Sequence, residues 1–141
     1  MNEKYLDVLL RLAEKASRKN EVPVSALIVY NDKIIAKEYN TRQKKQSVLN
    51  HAEINVILKA SKKLKKWHLN ECDLYVTLKP CNMCESVIKQ SRIKNVYYIL
   101  DKLEFKKEYN KTTFAKANNS TVEKKYANYL KEFFQKRRDK K

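Results

Sequence analysis

Apolar residues recur at three- and four-residue steps across Glu3–Arg18, with Leu6, Leu9, Leu10, Ala13 and Ala16 carrying the pattern. That period predicts an amphipathic helix opening the fold. Two apolar runs at 24–30 and 34–39, parted by the polar Asn31-Asp32-Lys33, predict a hairpin. After a polar loop at 40–50, Ile54, Ile57, Leu58 and Leu64 make a helical stripe across Ala52–Leu64. A strand at 73–77, a helix at 81–90 with Pro80 in its first turn, and a strand at Asn95–Leu100 follow. Residues 102–121 are polar and weakly periodic, and no fifth strand is predicted there. From 122 a helical pattern returns, with Tyr126, Tyr129, Leu130, Phe133 and Phe134 as its expected buried side and a basic tail at 136–141. The element order predicts an α/β layered domain with helices covering a mixed sheet.

A chain of 141 residues suits one domain, expected over 1–141 with the basic helix at its end. Glu3, Asp7 and Glu14 interrupt the first twenty residues, so no signal-peptide block is read there. No apolar run reaches membrane-spanning length. A soluble, cytoplasmic protein is the expectation.

Lysine and arginine total 32 against 16 acidic residues, a formal charge of +16. Such an excess suits a polyanion-binding surface. Only 6 of the 32 are arginine, and with no glycine in the chain a biased composition explains the excess equally well. Where the charge lies must decide between them. The missing glycine also forces any turn that needs positive φ onto other residues, and Asn20, Asn31, Asn40 and Asn70 are the expected substitutes.

Two motifs carry chemistry: His51-Ala52-Glu53 at one predicted helix start and Pro80-Cys81-Asn82-Met83-Cys84 at another. Zinc takes imidazole nitrogen and thiolate sulfur, and a catalytic site keeps three protein ligands with a fourth position for water. The i, i+3 spacing sets Cys81 and Cys84 on one face of a first helical turn, where the helix dipole favours thiolates. Zinc lowers the pKa of bound water from about 15.7 to about 7. Glu53, two residues past His51, is then placed to move protons between water, ring nitrogen and leaving amine. A redox pair or half of a structural zinc site are the other readings of Cys-x-x-Cys, but Cys72 and His68 form no second ligand pair. Those two residues are assigned no role.

The pairing of H-x-E with P-C-x-x-C is the zinc deaminase signature. With its flanking blocks the chain resembles bacterial tRNA-specific adenosine deaminases, the TadA family within the cytidine deaminase-like superfamily. The blocks are Glu21-Val22-Pro23-Val24, Asn40, Leu74-Tyr75-Val76-Thr77-Leu78, Ser91-Arg92-Ile93 and Phe133-Phe134-Gln135-Lys136-Arg137-Arg138.

The resemblance implies a three-layer α/β/α fold, one Zn2+ per subunit and a homodimer. It implies hydrolytic conversion of adenosine to inosine at the wobble position, 34, of a tRNA anticodon stem-loop, with the target nucleotide splayed out. Asn40 would hydrogen-bond the base, and the Ala52 amide would help read its edge. Phe133, Arg137 and Arg138 would meet RNA, although core packing is the first reading of Phe133 and a solvated helix end the other reading of the arginines. For Asn40 the other reading is a turn residue closing the second strand. Lys79 stands where the family usually has glutamate, Ser25 where it has glycine, and 102–121 is shorter than the family's segment. Two other functions remain open: a free base or nucleoside deaminase of cytidine or guanine type, and a noncatalytic RNA-binding subunit.

Overall fold

A computed structural model describes residues 2–101 and 112–139. The chain divides into two compact units, Met1–Glu104 and Phe105–Lys141. The first holds α1 (Glu3–Arg18), β1 (Ser25–Tyr30), β2 (Lys33–Tyr39), α2 (Arg42–Lys45), α3 (Ala52–Leu64), β3 (Asp73–Leu78), α4 (Asn82–Gln90) and β4 (Asn95–Leu100), and the second holds α5 (Ser120–Asp139). No helix among the described residues is long and apolar enough to cross a membrane.

The strands form one mixed sheet in the order β2-β1-β3-β4. β1 pairs antiparallel with β2 and β3, while β3 and β4 are parallel and joined through α4. Because side chains alternate along a strand, β1 feeds two cores. Leu27 and Val29 pack with Tyr5 and Leu9 of α1 on one face. Ala26 and Ile28 pack with Val56, Ile57 and Ala60 of α3 and Ile88 of α4 on the other. The three-layer α/β/α architecture follows from that alternation. Fully buried Leu9, Leu27 and Ile28 each contribute about 1.5–3 kcal/mol by leaving water, so these contacts, rather than surface ion pairs, hold the layers.

The hairpin closes on Asn31 and Asp32, at φ 51° and 60°, with Tyr30 paired to Lys33. Two consecutive left-handed residues are the mark of a type I′ turn, here built without glycine. Asn20 is also left-handed at φ 60°. Asn40 and Asn70 are not among the left-handed residues. Gln46, Lys65 and Arg92 are, each just past a helix.

Three local expectations are corrected. The loop at 40–50 contains α2. Pro80 lies before Cys81, which is the N-cap of α4, so the proline precedes the helix instead of filling its first turn. In α5, Tyr126, Tyr129, Leu130, Phe133 and Phe134 are exposed. Among the described residues of its own unit α5 has no second helix or strand on which to bury an apolar stripe. The expectation for 102–111, and for Lys140 and Lys141, falls outside the described residues.

Candidate metal centre and active site

Two helix N-termini carry the predicted ligands. His51 is the N-cap of α3 and Cys81 the N-cap of α4, both extended in backbone, and neither caps its helix with a side-chain hydrogen bond. Their side chains are free to turn toward each other. Cys84, fully buried in the first turn of α4, completes the group. The Sγ atoms of Cys84 and Cys81 lie 3.4 and 3.8 Å from His51 Nδ1. All three ligand atoms fall within 4.8 Å of one another.

That spacing can be tested against zinc. Tetrahedral ligands at about 2.3 Å for sulfur and about 2.1 Å for nitrogen stand about 3.6 Å apart, so the donor set fits. Its electrostatics fit too. Cys81 is lowered to about 3, first by the Cys84 thiol donating to it and then by the His51 imidazole. The Cys84 thiol is pushed up, as the donor of that same hydrogen bond and by burial. His51 is raised, chiefly by its hydrogen bond to Cys81, while burial and the Arg42 guanidinium oppose the rise. One thiolate therefore stands ready beside a proton-rich pair, and a cation entering the group would displace those protons.

Glu53 follows in the first turn of α3 and is 4% exposed. Burial pushes its carboxyl up from the ordinary value. Its Oε1 has no hydrogen-bond partner in the protein. A buried carboxylate oxygen left without a partner costs stability, and such groups mark sites of function.

Asn40 is buried at the end of β2, where its Oδ1 accepts the Arg42 amide at 2.9 Å. It thus serves as a turn residue that starts α2, and α2 in turn brings the Arg42 charge to bear on His51. Ala52, fully buried, opens α3, where a helical amide lacks an intrahelical acceptor. Phe133, Arg137 and Arg138 lie on α5 in the second unit, with the Arg137 guanidinium 4.4 Å from the Phe133 ring centroid.

Residues that sequence reasoning passed over build the frame. Asn55 donates from Nδ2 to Thr41 Oγ1 at 2.9 Å and to the Tyr39 carbonyl at 3.1 Å, and its Oδ1 accepts from Asn50. It pins the loop leading to His51 onto α3. Glu21 anchors the same loop from the other side through the amides of Gln43 and Lys44. Glu21 belongs to one of the family-like blocks, but nothing in its neighbours signalled this interaction. Ser25 is accommodated because its hydroxyl donates to the Leu9 carbonyl at 2.6 Å. Lys79 places its ammonium 5.8 Å from the Tyr98 ring centroid. Cys72 is packed in the core and His68 meets Asn70 at 2.8 Å, away from the ligands.

The model of the MafB19-like deaminases matches residues 1–138. The chain belongs to that deaminase family. Among curated relatives it is 41% identical over 97 residues to a tRNA-specific adenosine deaminase of Bacillus subtilis (strain 168), covering 69% of this chain and 60% of the relative. A tRNA-specific adenosine deaminase of Rickettsia bellii is 47% identical over 91 residues, covering 63% of each chain. The chain thus spans less than two thirds of the length of these relatives. Among solved structures, one from a study of A-to-I editing by tRNA:A34 deaminases at the wobble position has a TM-score of 0.69 at 36% identity, over 70% of this chain and 76% of its own. A guanine deaminase from Bacillus subtilis has a TM-score of 0.79 at 25% identity, over 93% and 95%. The deaminase resemblance and the three-layer fold read from the sequence both stand on these matches.

Proposed function

We propose that this protein is a zinc-dependent hydrolytic deaminase that converts adenosine to inosine at the wobble position of a tRNA anticodon. The carrying observation is the conjunction of a tetrahedral-spaced His51, Cys81 and Cys84 group with the unpartnered, buried Oε1 of Glu53, two residues past His51 in the first turn of α3. His51 Nδ1 and the two sulfurs would hold one zinc per subunit, and bound zinc supplies a water activated for attack. Glu53 does the proton work. Burial raises its proton affinity toward the working pH, so it can take a proton from water and give it to the purine ring and then to the departing ammonia. The substrate rests on the relatives, at 41–47% identity. Asn40 and the Ala52 amide are assigned to the base, and Phe133, Arg137 and Arg138 to the RNA.

A homodimer in the cytoplasm belongs to the same reading. Glu53→Ala is expected to retain zinc and RNA binding while losing deamination; unchanged activity would remove the mechanism. Truncation after Phe134 is expected to weaken stem-loop binding, and full affinity would make the tail merely solvated.

The likeness to a guanine deaminase over nearly the whole chain favours a second reading, a free purine as substrate. Ammonia release separates the two. Turnover of an adenosine-containing anticodon stem-loop, with none from guanine or free nucleosides, supports the tRNA reading, and brisk turnover of guanine or cytidine ends it.

A further inference from the structure

We propose that the ends of α3 and α4 remote from the metal group form a second RNA contact, in which Lys62, Lys63, Lys66 and Lys94 engage phosphates beside a Trp67–Arg92 stack that receives an unpaired base. Both helices begin at the ligands, with His51 and Cys81 as N-caps, and α3 runs for 13 residues, about 20 Å, before this patch. The patch is therefore separate from the reacting centre.

Charge placement carries the argument. Between Ile54 and Asn70 the chain has Lys59, Lys62, Lys63, Lys65 and Lys66 and no acidic residue. Lys59 pairs with Glu38, and Lys89 of α4 with Glu85. For Lys62, Lys63, Lys65, Lys66, Arg92 and Lys94 no carboxylate lies within ion-pair reach among the described residues. Lys59, Lys62 and Lys63 follow the i, i+3, i+4 spacing of one face of α3, where like charges repel. A favourable helix dipole accounts for cations in the last turn. It gives no reason for Lys66, Arg92 and Lys94, which lie beyond both helices.

An aromatic platform sits among these cations. Trp67 is 61% exposed, its ring 4.9 Å from the Arg92 guanidinium and edge-on to His68. The platform is braced: the Leu69 amide donates to the Ser91 carbonyl at 2.8 Å, and Arg92 turns back in the left-handed region at φ 62°. An exposed aromatic ring within a cationic surface is how proteins hold strands with accessible bases. A duplex carries about one charge per 1.7 Å, so roughly a dozen phosphates lie along the distance between the metal group and the patch.

The partner's being RNA rests on the proposed function, so the test reads binding alone, using a labelled RNA stem-loop with no adenosine. The variant Lys62→Gln/Lys63→Gln/Lys66→Gln/Lys94→Gln is expected to bind about tenfold or more weakly near 0.1 M salt. Its slope of log affinity on log salt should be shallower by about 3, at about 0.7–0.9 for each phosphate that is no longer neutralised. Trp67→Ala is expected to weaken binding about fivefold or more without changing the slope, and Trp67→Phe to restore it. Unchanged affinity and slope in the lysine variant, with zinc content and melting temperature intact, overturns the proposal. Loss of binding to phosphatidylserine vesicles with RNA binding unchanged overturns it in favour of a membrane. Patch-dependent RNA binding in a protein that deaminates no stem-loop would leave this inference standing and the proposed function fallen.

Discussion

The Glu21 carboxylate accepts the backbone amide of Lys44 at 2.8 Å, capping a helix that begins more than twenty residues further along the chain. Its other oxygen takes the Gln43 amide at 2.9 Å. Thr41, the N-cap of α2, makes no side-chain cap, and its hydroxyl instead accepts from Asn55. A buried carboxylate thus performs the capping task at a distance, and the loop that brings Arg42 toward His51 depends on it.

Glu21→Ala leaves two amides without their acceptor and is expected to cost about 2–3 kcal/mol in urea unfolding. Glu21→Gln, which keeps one acceptor oxygen, should cost less. Trypsin cleavage after Arg42, Lys44 and Lys45 should quicken in the same order. Stability within about 0.5 kcal/mol of the parent together with an unchanged cleavage pattern would show that α2 does not need this cap.

Glu53 makes the opposite trade. Its buried, unpartnered Oε1 costs stability that only activity can justify. In the metal-free protein, Glu53→Gln is expected to raise stability by roughly 1 kcal/mol, since a neutral group of the same shape is less costly to bury. In the zinc-loaded protein it should lose deamination. A less stable metal-free variant would mean that the hydrogen bonds the Glu53 carboxyl makes with its own backbone amide and the Cys84 thiol outweigh the cost of its unpartnered oxygen.

The contrast between these two glutamates shows what a sequence can carry. The span Ala52–Leu64 was legible because its apolar stripe is local, and the ligands because H-x-E and C-x-x-C have fixed spacing. α2 was not legible: four polar residues have no periodicity, and the group that stabilises them is distant in sequence. The left-handed turns at Asn20 and Asn31 were read from residue type, whereas those at Gln46, Lys65 and Arg92 use side chains with no such preference. They are dictated by where a helix must end. The buried side expected for α5 failed because periodicity names an apolar stripe without naming what covers it.

Zinc should bind the folded chain and not the unfolded one. At a free concentration one hundred times Kd the gain is about 2.7 kcal/mol, which for a chain of this size is a rise in Tm of about 5–11 °C. Metal analysis should give one zinc per chain. Cys84→Ala is expected to abolish both the rise and the bound metal, and a chelator should reverse the rise in the parent. Equal melting curves with and without zinc would remove the metal from the reading of His51, Cys81 and Cys84.

Lys65 ends α3 at φ 57° and ψ 39°, donating its amide to the Ser61 carbonyl. A left-handed lysine carries a steric cost that glycine avoids, and a glycine-free chain meets that cost at each such turn. Lys65→Gly gains the relief but also loosens the unfolded chain, so the net expectation is a stabilisation of about 0.5–1 kcal/mol. Lys65→Ala separates conformation from charge: it removes the same ammonium from a cationic helix end but keeps the Cβ, so it should give little or no gain. If both variants stabilise equally, repulsion among Lys62, Lys63, Lys65 and Lys66 is the source of the strain, and the left-handed turn is not.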